Sequence, residues 1–436
     1  MHTPSGFLNG GSAFRNHVFK AAPRSKLVYN ERKLMKTSKV LALFLSSLLA
    51  VFACSVGAAA QLAATPPMGW DSWNHFGKTI TAQIIERNAQ GMHDSGMQAA
   101  GYQYVIIDDF WQDPHGRDSN GNLRANPTTF PGGIPAVVSY VHGLNLKIGI
   151  YSSPGPTTCG GNVGSYNHEQ QDAAQFKAWG IDFLKYDWCS CTPKLCGTMQ
   201  QGFAKMSKYL DHTQIVYKIS GYGEQKPWTW APEIGVNMWG TGLDMKDEFY
   251  RMTELSFVGD SGLEGFSGPT VANYNGVING GWNDPDMLEI GNGAEPDTEY
   301  IYEMSIWTIL AAPLIAGNDL RDGFLKTHTL NILANPEITA VDQDVAGIQG
   351  HRVWQEGPED IWIKPMSDGS TVVGVFNHVE GTDPIALPFG AIGITGQAQA
   401  RDLWAHKDLG LISDGYKVSV LGHGARMLKL TPAHKY

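Results

Sequence analysis

The sequence predicts a (β/α)8 barrel followed by a small antiparallel β-domain, and three observations support this fold class. From about residue 62 to residue 345, strand-like and helix-like segments alternate. The apolar runs of the strand-like segments are continuous, which is typical of parallel strands buried on both faces. The 436 residues exceed one average domain but fit a barrel of about 250 residues plus a smaller module.

The N-terminal segment has the pattern of a targeting sequence. From Met35 the chain shows two lysines, an apolar run at residues 40–53, and three alanines at 58–60. These are the parts of a secretory signal peptide, so we expect residues 35–60 to be cleaved and the protein to be exported, to the periplasm or outside the cell. The apolar run is too short for a good membrane span.

Two further features of this segment leave alternatives open. Residues 1–34 are polar and irregular, which indicates a long leader or a misassigned start. Cys54 is an alternative lipidation site, although Phe52 stands where a small residue is preferred.

The predicted barrel, residues 61–345, contains about eight strand-and-helix repeats. Its predicted strands are residues 66–73, 102–109, 146–153, 181–188, 214–220, 235–241, 280–288 and 313–320. Its predicted helices are residues 133–144, 168–180, 197–213 and 298–312. Gly180 ends the second of these helices, where a C-terminal cap is expected.

Residues 346–436 follow a different pattern. Short alternating strands are separated by Gly, Asp and Ser, which predicts a small antiparallel β-domain. Because no linker rich in Pro or Ser precedes it, we expect this domain to pack directly on the barrel.

The composition excludes several functional classes. Hydrophobic residues make up 42% and charged residues 17%, which is typical of a packed globular enzyme rather than a disordered chain. The formal net charge of −10 argues against a nucleic-acid partner. The 14 histidines show no metal-ligand spacing, so we predict no metal, no cofactor and no histidine-based catalysis.

Four cysteines remain after the signal peptide: Cys159, Cys189, Cys191 and Cys196. An even number in an exported protein indicates disulfides, with three possible connectivities. A zinc site is the alternative, but the C-x-C-x₄-C spacing is not a recognised zinc-finger pattern.

Carboxylates stand at the ends of several predicted strands, where the active site of such a barrel lies. A single aspartate there is more often a helix cap, but a set at one rim indicates a catalytic cavity, and a lysine offsets its repulsion. The residues concerned are Asp108, Asp109, Lys185, Asp187, Asp244, Asp284 and Asp286, with Tyr151 at the end of strand three.

Aromatic residues accompany this rim. Trp73, Trp111 and Trp282 are each more typical of a core, but their position beside rim residues favours stacking on a sugar. Carboxylates, aromatic platforms, export and the lack of a cofactor motif fit glycoside hydrolysis. That chemistry needs one ionised and one protonated carboxyl, and a separation of about 5–5.5 Å gives retention of configuration.

Four sequence motifs are specific enough to indicate a protein family. The segments TPPMGWDSWNHF (65–76), YVIIDDFWQ (104–112), FLKYDWC (183–189) and GGWNDPDMLEIGNG (280–293) closely resemble the α-galactosidases of glycoside hydrolase family 27. The resemblance covers nearly all of the chain after the signal peptide. It implies a TIM barrel, a C-terminal β-sandwich, and retaining exo-hydrolysis of terminal α-D-galactosyl residues from oligo- or polysaccharides.

The resemblance also implies the catalytic residues. Asp187 matches the nucleophile, and Asp244 matches the acid/base, five residues after Trp239. We expect burial and the nearby ionised Asp187 to keep Asp244 protonated in the resting enzyme. Lys185, on the same side of the strand as Asp187, matches a lysine that binds sugar hydroxyls.

The remaining implied contacts surround one sugar. Asp108 and Asp109 match residues that accept hydrogen bonds from the O4 and O6 hydroxyls, and Trp73 would lie under the apolar face. The same pocket is lined by Tyr151, Cys159, Asp286 and Met287. Cys159 would form a disulfide with Cys189, which leaves Cys191 to pair with Cys196.

Two departures affect the side of the sugar that bears O2. Gly240 stands where the family has an arginine, and Ser220-Gly221-Tyr222 stands where typical members have Cys-Glu-Trp. With Gly221, Tyr222 and Gly240 at this edge, we expect weak turnover of plain α-galactosides and tolerance of a 2-acetamido group. The alternative is that Tyr222 or Glu224 restores an O2 contact.

Other activities remain open at this point. Within the family they are α-N-acetylgalactosaminidase, β-L-arabinopyranosidase and isomaltodextranase. The retained Asp109 argues against the second, and the Asp108-Asp109 pair suits glucosides poorly. A non-catalytic sugar-binding barrel would lack Asp187 or Asp244, and both are present.

Overall fold

A computed structural model of the chain describes residues 62–433, apart from 211–212, 253–280 and 358. The predicted leader and signal peptide lie outside the described residues. Within the described part of the chain, no helix is long and apolar enough to cross a membrane. These residues also contain no group of three or more His, Cys, Asp or Glu side chains that could hold a metal ion.

The described residues form a sheet of eight parallel strands in the order β7-β6-β5-β4-β3-β2-β1-β8. The strands are β1 (Met68–Asp71), β2 (Tyr104–Ile107), β3 (Lys147–Ser152), β4 (Phe183–Asp187), β5 (Val216–Ser220), β6 (Met238–Gly240), β7 (Trp282–Asp284) and β8 (Leu314–Ala316). Leu288, just beyond β7, forms a parallel bridge with Ala316 of β8 and closes the sheet. The predicted (β/α)8 barrel is confirmed.

Helices accompany the strands. They are α1 (Trp73–Phe76), α2 (Ala82–Asp94), α3 (Gly133–Gly143), α4 (Glu169–Trp179), α5 (Met199–Leu210), α6 (Asp297–Leu310), α7 (Thr327–Leu333) and α8 (Pro336–Asp342), with 3₁₀ turns at Gly77–Thr79, Pro227–Thr229 and Pro232–Ile234. The four predicted helices correspond to α3–α6, with ends that differ by at most three residues. Gly180 has the expected left-handed conformation, with a φ of 84°, and caps α4.

The observed strands are shorter than the predicted ones. Residues 280–288 were predicted as one strand, whereas β7 spans only Trp282–Asp284. The apolar residues Met287 and Leu288, which follow it, are buried outside the strand, and Leu288 meets the sheet only through its single bridge to Ala316. Burial of loop residues above the barrel extends the apolar pattern beyond the hydrogen-bonded strands.

The side chains in the barrel interior change from apolar to charged along the barrel axis. Apolar side chains form one cluster: Tyr104, Ile106, Phe183, Val216, Met238, Trp282, Met287, Ala311 and Ile315. Phe183 of β4 and Val216 of β5 pair in register, and two residues further along both strands Lys185 pairs with Lys218. Because side chains alternate along a strand, these lysines point to the same side as the apolar pair. The interior therefore becomes charged toward the carboxyl ends of the strands.

The C-terminal domain contains a six-stranded antiparallel sheet in the order β14-β13-β16-β11-β10-β9 and a β12-β15 pair. Its elements are β9 (His351–Glu356), β10 (Glu359–Pro365), β11 (Thr371–Asn377), β12 (Asp383–Ala386), α9 (Phe389–Ile392), β13 (Gln397–Asp402), β14 (Lys407–Ser413), β15 (Lys417–Val420) and β16 (Gly424–Pro432). A separate apolar core fills this domain. The predicted antiparallel β-domain is confirmed.

Direct contacts join this domain to the barrel. The Lys364 ammonium of β10 is fully buried and donates to the carbonyl oxygen of Thr308 in α6 at 3.1 Å. Trp404 donates its indole N–H to Ser305 Oγ at 2.9 Å. Burial lowers the pKa of Lys364 to about 8, while Asp342 opposes this shift.

Candidate active site

A cavity of about 600 Å³, its open mouth included, lies at the carboxyl ends of the barrel strands. It is lined by Trp73, Asn74, Asp108, Asp109, Tyr151, Cys159, Lys185, Asp187, Lys218, Ser220, Tyr222, Asp244, Met245, Asp286 and Met287. The structure thus brings together the site residues predicted from the sequence, except for Gly221, Gly240, Asp284, Trp111 and Trp282, which do not line this cavity.

Lys185 binds two carboxylates at the closed end of this cavity. Its Nζ lies 2.6 Å from Asp108 Oδ2 and 3.2 Å from Asp71 Oδ2, and its side chain is only 7% exposed. Burial raises the pKa of Asp71 to about 7, although the Lys185 ammonium opposes the shift. The three side chains form a buried charged cluster in which the lysine compensates its acidic neighbours.

Asp187 ends β4 beside this cluster and is partly accessible. Burial raises its pKa to about 7, while the positive charges of Lys185 and Lys218 act in the opposite direction. A hydrogen bond from the Tyr151 hydroxyl also lowers the pKa of Asp187, and the charge of Asp108 raises it. Asp187 Oδ1 is buried and has no hydrogen-bond partner among the described residues.

Asp109 holds the loop that follows β3. Its Oδ2 accepts the Gly160 N–H at 2.8 Å, and its Oδ1 accepts the Asn162 side-chain amide at 2.9 Å and the Phe110 N–H at 2.8 Å. The Phe110 ring in turn stacks on Trp73, with 6.2 Å between ring centroids. Trp73 is 38% exposed and presents an aromatic surface to the cavity.

Two disulfides lie next to the site. Cys159 is bonded to Cys189, which follows β4, with 5.1 Å between their Cα atoms. Cys191 is bonded to Cys196. This pairing matches the resemblance and excludes the zinc alternative. The first bond ties the loop after β3 to the strand end that bears Asp187.

Asp286 connects β7 to the loop that bears Asp244. Its Oδ2 accepts the Met245 N–H at 2.7 Å, and its Oδ1 accepts the Met287 N–H at 2.8 Å. The indole N–H of Trp307 donates to its carbonyl oxygen at 2.9 Å. Asp286 has a φ of 114°, which is strained for a residue with a side chain, and these three hydrogen bonds hold it.

Asp244 is exposed at the mouth of the cavity, in contrast to the burial expected from the sequence. The Tyr222 hydroxyl donates to Asp244 Oδ2 at 3.4 Å. Burial and the negative charge of Asp244 raise the pKa of Tyr222 to about 12, so this phenol stays protonated as a donor. Residues 253–280, which follow this loop in the chain, are outside the described residues.

The two glycines of interest have different surroundings. A Cβ atom at Gly221 would lie 2.5 Å from Met199 Cε in α5, so a side chain there would contact the helix rather than the cavity. A Cβ atom at Gly240 would lie 3.1 Å from Ser220 Oγ, which lines the cavity. Of the two glycines, only Gly240 therefore has a cavity-lining residue as its nearest neighbour, and a Cβ atom there would be in close contact with it.

The structure adds residues that the sequence interpretation missed, chiefly Asp71, Lys218 and Ser220. Lys218 interrupts the apolar run QIVYKIS just as Lys185 interrupts its own strand, and this parallel could have identified it. The interpretation of Trp111 and Trp282 as sugar platforms is wrong. Both are fully buried in the core.

Comparison with known proteins agrees with this geometry. The family model described as alpha galactosidase A matches residues 65–344, and one described as the alpha galactosidase C-terminal beta sandwich domain matches residues 356–430. A probable α-galactosidase of Dictyostelium discoideum is 40% identical over 86% of this chain and 94% of its own length. An α-galactosidase of Oryza sativa subsp. japonica is 39% identical over 85% of this chain and 86% of its own length.

A solved structure is similar over the same region. The crystal structure of α-galactosidase I from Mortierella vinacea has a TM-score of 0.77 and 32% sequence identity, and the match covers 86% of this chain and 99% of that chain.

Loss of the Cys159–Cys189 bond is expected to reduce stability. The bond spans 30 residues, for which the loop-entropy relation gives roughly 3–4 kcal/mol of unfolding free energy. Chemical denaturation of Cys159→Ser/Cys189→Ser measures this loss. The control Cys191→Ser/Cys196→Ser, whose bond spans five residues, should lose only about 2 kcal/mol. Free thiols at both Cys159 and Cys189 in the unreduced protein would contradict the prediction.

Proposed function

The chain belongs to the α-galactosidase family and hydrolyses terminal α-D-galactosyl residues, and we propose that it does so by a retaining, two-carboxylate double displacement. The observation that supports this mechanism is one cavity with Asp187 at its inner wall and Asp244 at its mouth. The first has two lysines near it, and the second contacts solvent and a tyrosine hydroxyl.

In the first step, ionised Asp187 attacks the anomeric carbon of the galactosyl group. The charges of Lys185 and Lys218 favour the ionised carboxylate against the effect of burial. Asp244 donates its proton to the departing glycosidic oxygen, so the aglycone leaves as an alcohol. The product of this step is a covalent galactosyl–enzyme ester.

In the second step, water hydrolyses the galactosyl–enzyme ester. Asp244, now ionised, accepts a proton from the water as the water attacks the anomeric carbon. The Tyr222 hydroxyl, which donates to Asp244 Oδ2 at 3.4 Å, lies beside this carboxylate. Two inversions at one carbon restore the α configuration in the released galactose.

The polar residues at the inner end of the cavity fit the hydroxyl groups of the sugar. Asp108 and Lys185 supply an acceptor and a donor that are already oriented by their mutual contact. Asp109 accepts two hydrogen bonds from the loop after β3 and one from the Phe110 N–H, which leaves one of its four lone-pair positions for a sugar hydroxyl. Trp73 supports the apolar sugar face.

The proposal includes export. The N-terminal pattern of lysines, apolar residues and small residues supports a cleaved signal peptide. Two disulfides fit an oxidising compartment.

Replacement of the nucleophile should abolish turnover. Asp187→Ala is expected to lower kcat by several orders of magnitude, because no galactosyl ester can form. Azide or formate should partly restore the rate, since a small anion fits the space of the missing carboxylate. Asp182→Asn, at the opposite end of the same strand, is a matched control that should keep near-normal turnover. Near-normal turnover of Asp187→Ala would refute the assignment.

Replacement of the acid/base should depend on the leaving group. Asp244→Ala is expected to lose little kcat/KM, which reports formation of the galactosyl–enzyme ester, on a dinitrophenyl α-galactoside, whose phenolate leaves without protonation, and much more on an alkyl α-galactoside. Steady-state kinetics on both substrates measure the difference. Equal losses would show that Asp244 does not protonate the leaving group.

The absence of a side chain at Gly240 predicts the specificity at C2. Nitrophenyl α-galactoside should be hydrolysed, and its 2-acetamido analogue should also be hydrolysed at a measurable rate. Gly240→Arg should remove activity on the analogue preferentially, because the side chain fills the space next to Ser220. Gly221→Ala adds a methyl group toward Met199 instead, so it should leave the ratio of kcat/KM values unchanged. Strict rejection of the analogue by the wild type would contradict the prediction.

A further inference from the structure

Lys218 is a buried cation of the cavity for which the double displacement assigns no contact with the sugar. It lies in β5, in register with Lys185 of β4, and it lines the cavity. Its side chain is only 4% exposed, and its Nζ lies 2.6 Å from Asp284 Oδ2 at the end of β7. A buried lysine loses its hydration, so it keeps its positive charge only where nearby groups compensate for that loss.

The ammonium of Lys218 has more N–H donors than its contact with Asp284 uses. An ammonium has three N–H donors, and the ion pair with Asp284 occupies one of them. β6 lies between β5 and β7, and its residue opposite Asp284 is Gly240. Because Gly240 has no side chain, β6 places no side chain beside Asp284 at this position.

The position of β5 determines which part of the sugar Lys218 can reach. Asp187 ends β4 and Asp244 follows β6, so β5 lies between the two carboxylates that act on the anomeric carbon. Lys185 is instead bound to Asp71 and Asp108, on β1 and at the end of β2. The hydroxyl next to the anomeric carbon is that at C2, and hydrogen bonds to it strengthen in the transition state of glycoside hydrolysis.

We propose that Lys218 determines specificity at C2 by donating a hydrogen bond to the 2-hydroxyl of the galactosyl group. This inference rests on the proposed function and deepens it. Asp284 orients the ammonium, and Lys218 lines the same cavity as the two catalytic carboxylates. A second consequence is electrostatic, because Lys218 also favours ionisation of the nucleophile.

The ionisation of Asp187 provides a measurement that a purely structural lysine would not affect. The charged and titratable groups around this carboxyl are Lys185, Lys218, Asp108, Tyr151 and Tyr222. The ionised form is active, so kcat/KM rises with pH through the pKa of Asp187. Removal of a positive charge raises that pKa, and the acidic limb of the profile then moves to higher pH.

The test compares nitrophenyl α-D-galactopyranoside with its 2-deoxy analogue. Lys218→Met should lower kcat/KM for the galactoside about tenfold to a hundredfold more than for the analogue. The acidic limb should move to higher pH in the same variant. Lys218→Arg, which keeps the charge and donors, should restore much of both properties. For each substrate, kcat/KM of the variant is divided by kcat/KM of the wild type, which cancels the difference in intrinsic reactivity between the two substrates.

A second variant keeps the test valid if Lys218→Met does not fold. Lys218→Met/Asp284→Asn removes both charges, so no buried carboxylate is left alone, and it should show the same selective loss on the galactoside. Equal losses on the two substrates with an unchanged pH profile would overturn the inference. Inactivity of the folded wild type on α-galactosides would instead contradict the proposed function.

Discussion

Charge compensation inside the barrel is the constraint on which the site depends. Five carboxylates and two lysines line one cavity, and the lysines are almost entirely removed from water. A buried carboxylate without a nearby cation tends to become protonated, and a buried lysine without acidic partners tends to lose its proton. Burial raises the pKa of Asp187 and the charges of Lys185 and Lys218 oppose that shift, while burial lowers and nearby carboxylates raise the pKa of both lysines, so these three groups form one electrostatic unit.

The fold creates this unit through strand alternation. In β4 and β5 the same inward-facing row begins with apolar residues and continues with lysines, so the barrel has a hydrophobic interior and a charged rim. Contacts between loops outside the sheet then hold the residues at the rim in place. The Cys159–Cys189 bond and the Asp109 contacts hold the loop after β3, while Asp286 holds the loop that bears Asp244. Rigid loops reduce the entropy lost when a sugar binds.

Backbone strain occurs in the same region. Phe110, Tyr222 and Asp286 all have positive φ values, and each is next to or part of the cavity. Such conformations cost of order 1–3 kcal/mol each and persist only where the surroundings enforce them. At Asp286 the enforcing contacts are visible as three hydrogen bonds, and the result is a carboxylate directed at the backbone of the acid/base loop.

The sequence by itself determined the barrel, the β-domain and the position of Asp187, because hydrophobic periodicity and strand-end motifs are local properties of the chain. Only the tertiary structure showed that Lys218 and Asp71 join the site, that Trp111 and Trp282 belong to the core, and that Gly221 faces a helix. These outcomes depend on where each strand ends, on the register between strands and on which helix covers them. Such features arise from contacts between residues far apart in sequence, and the local pattern does not specify them.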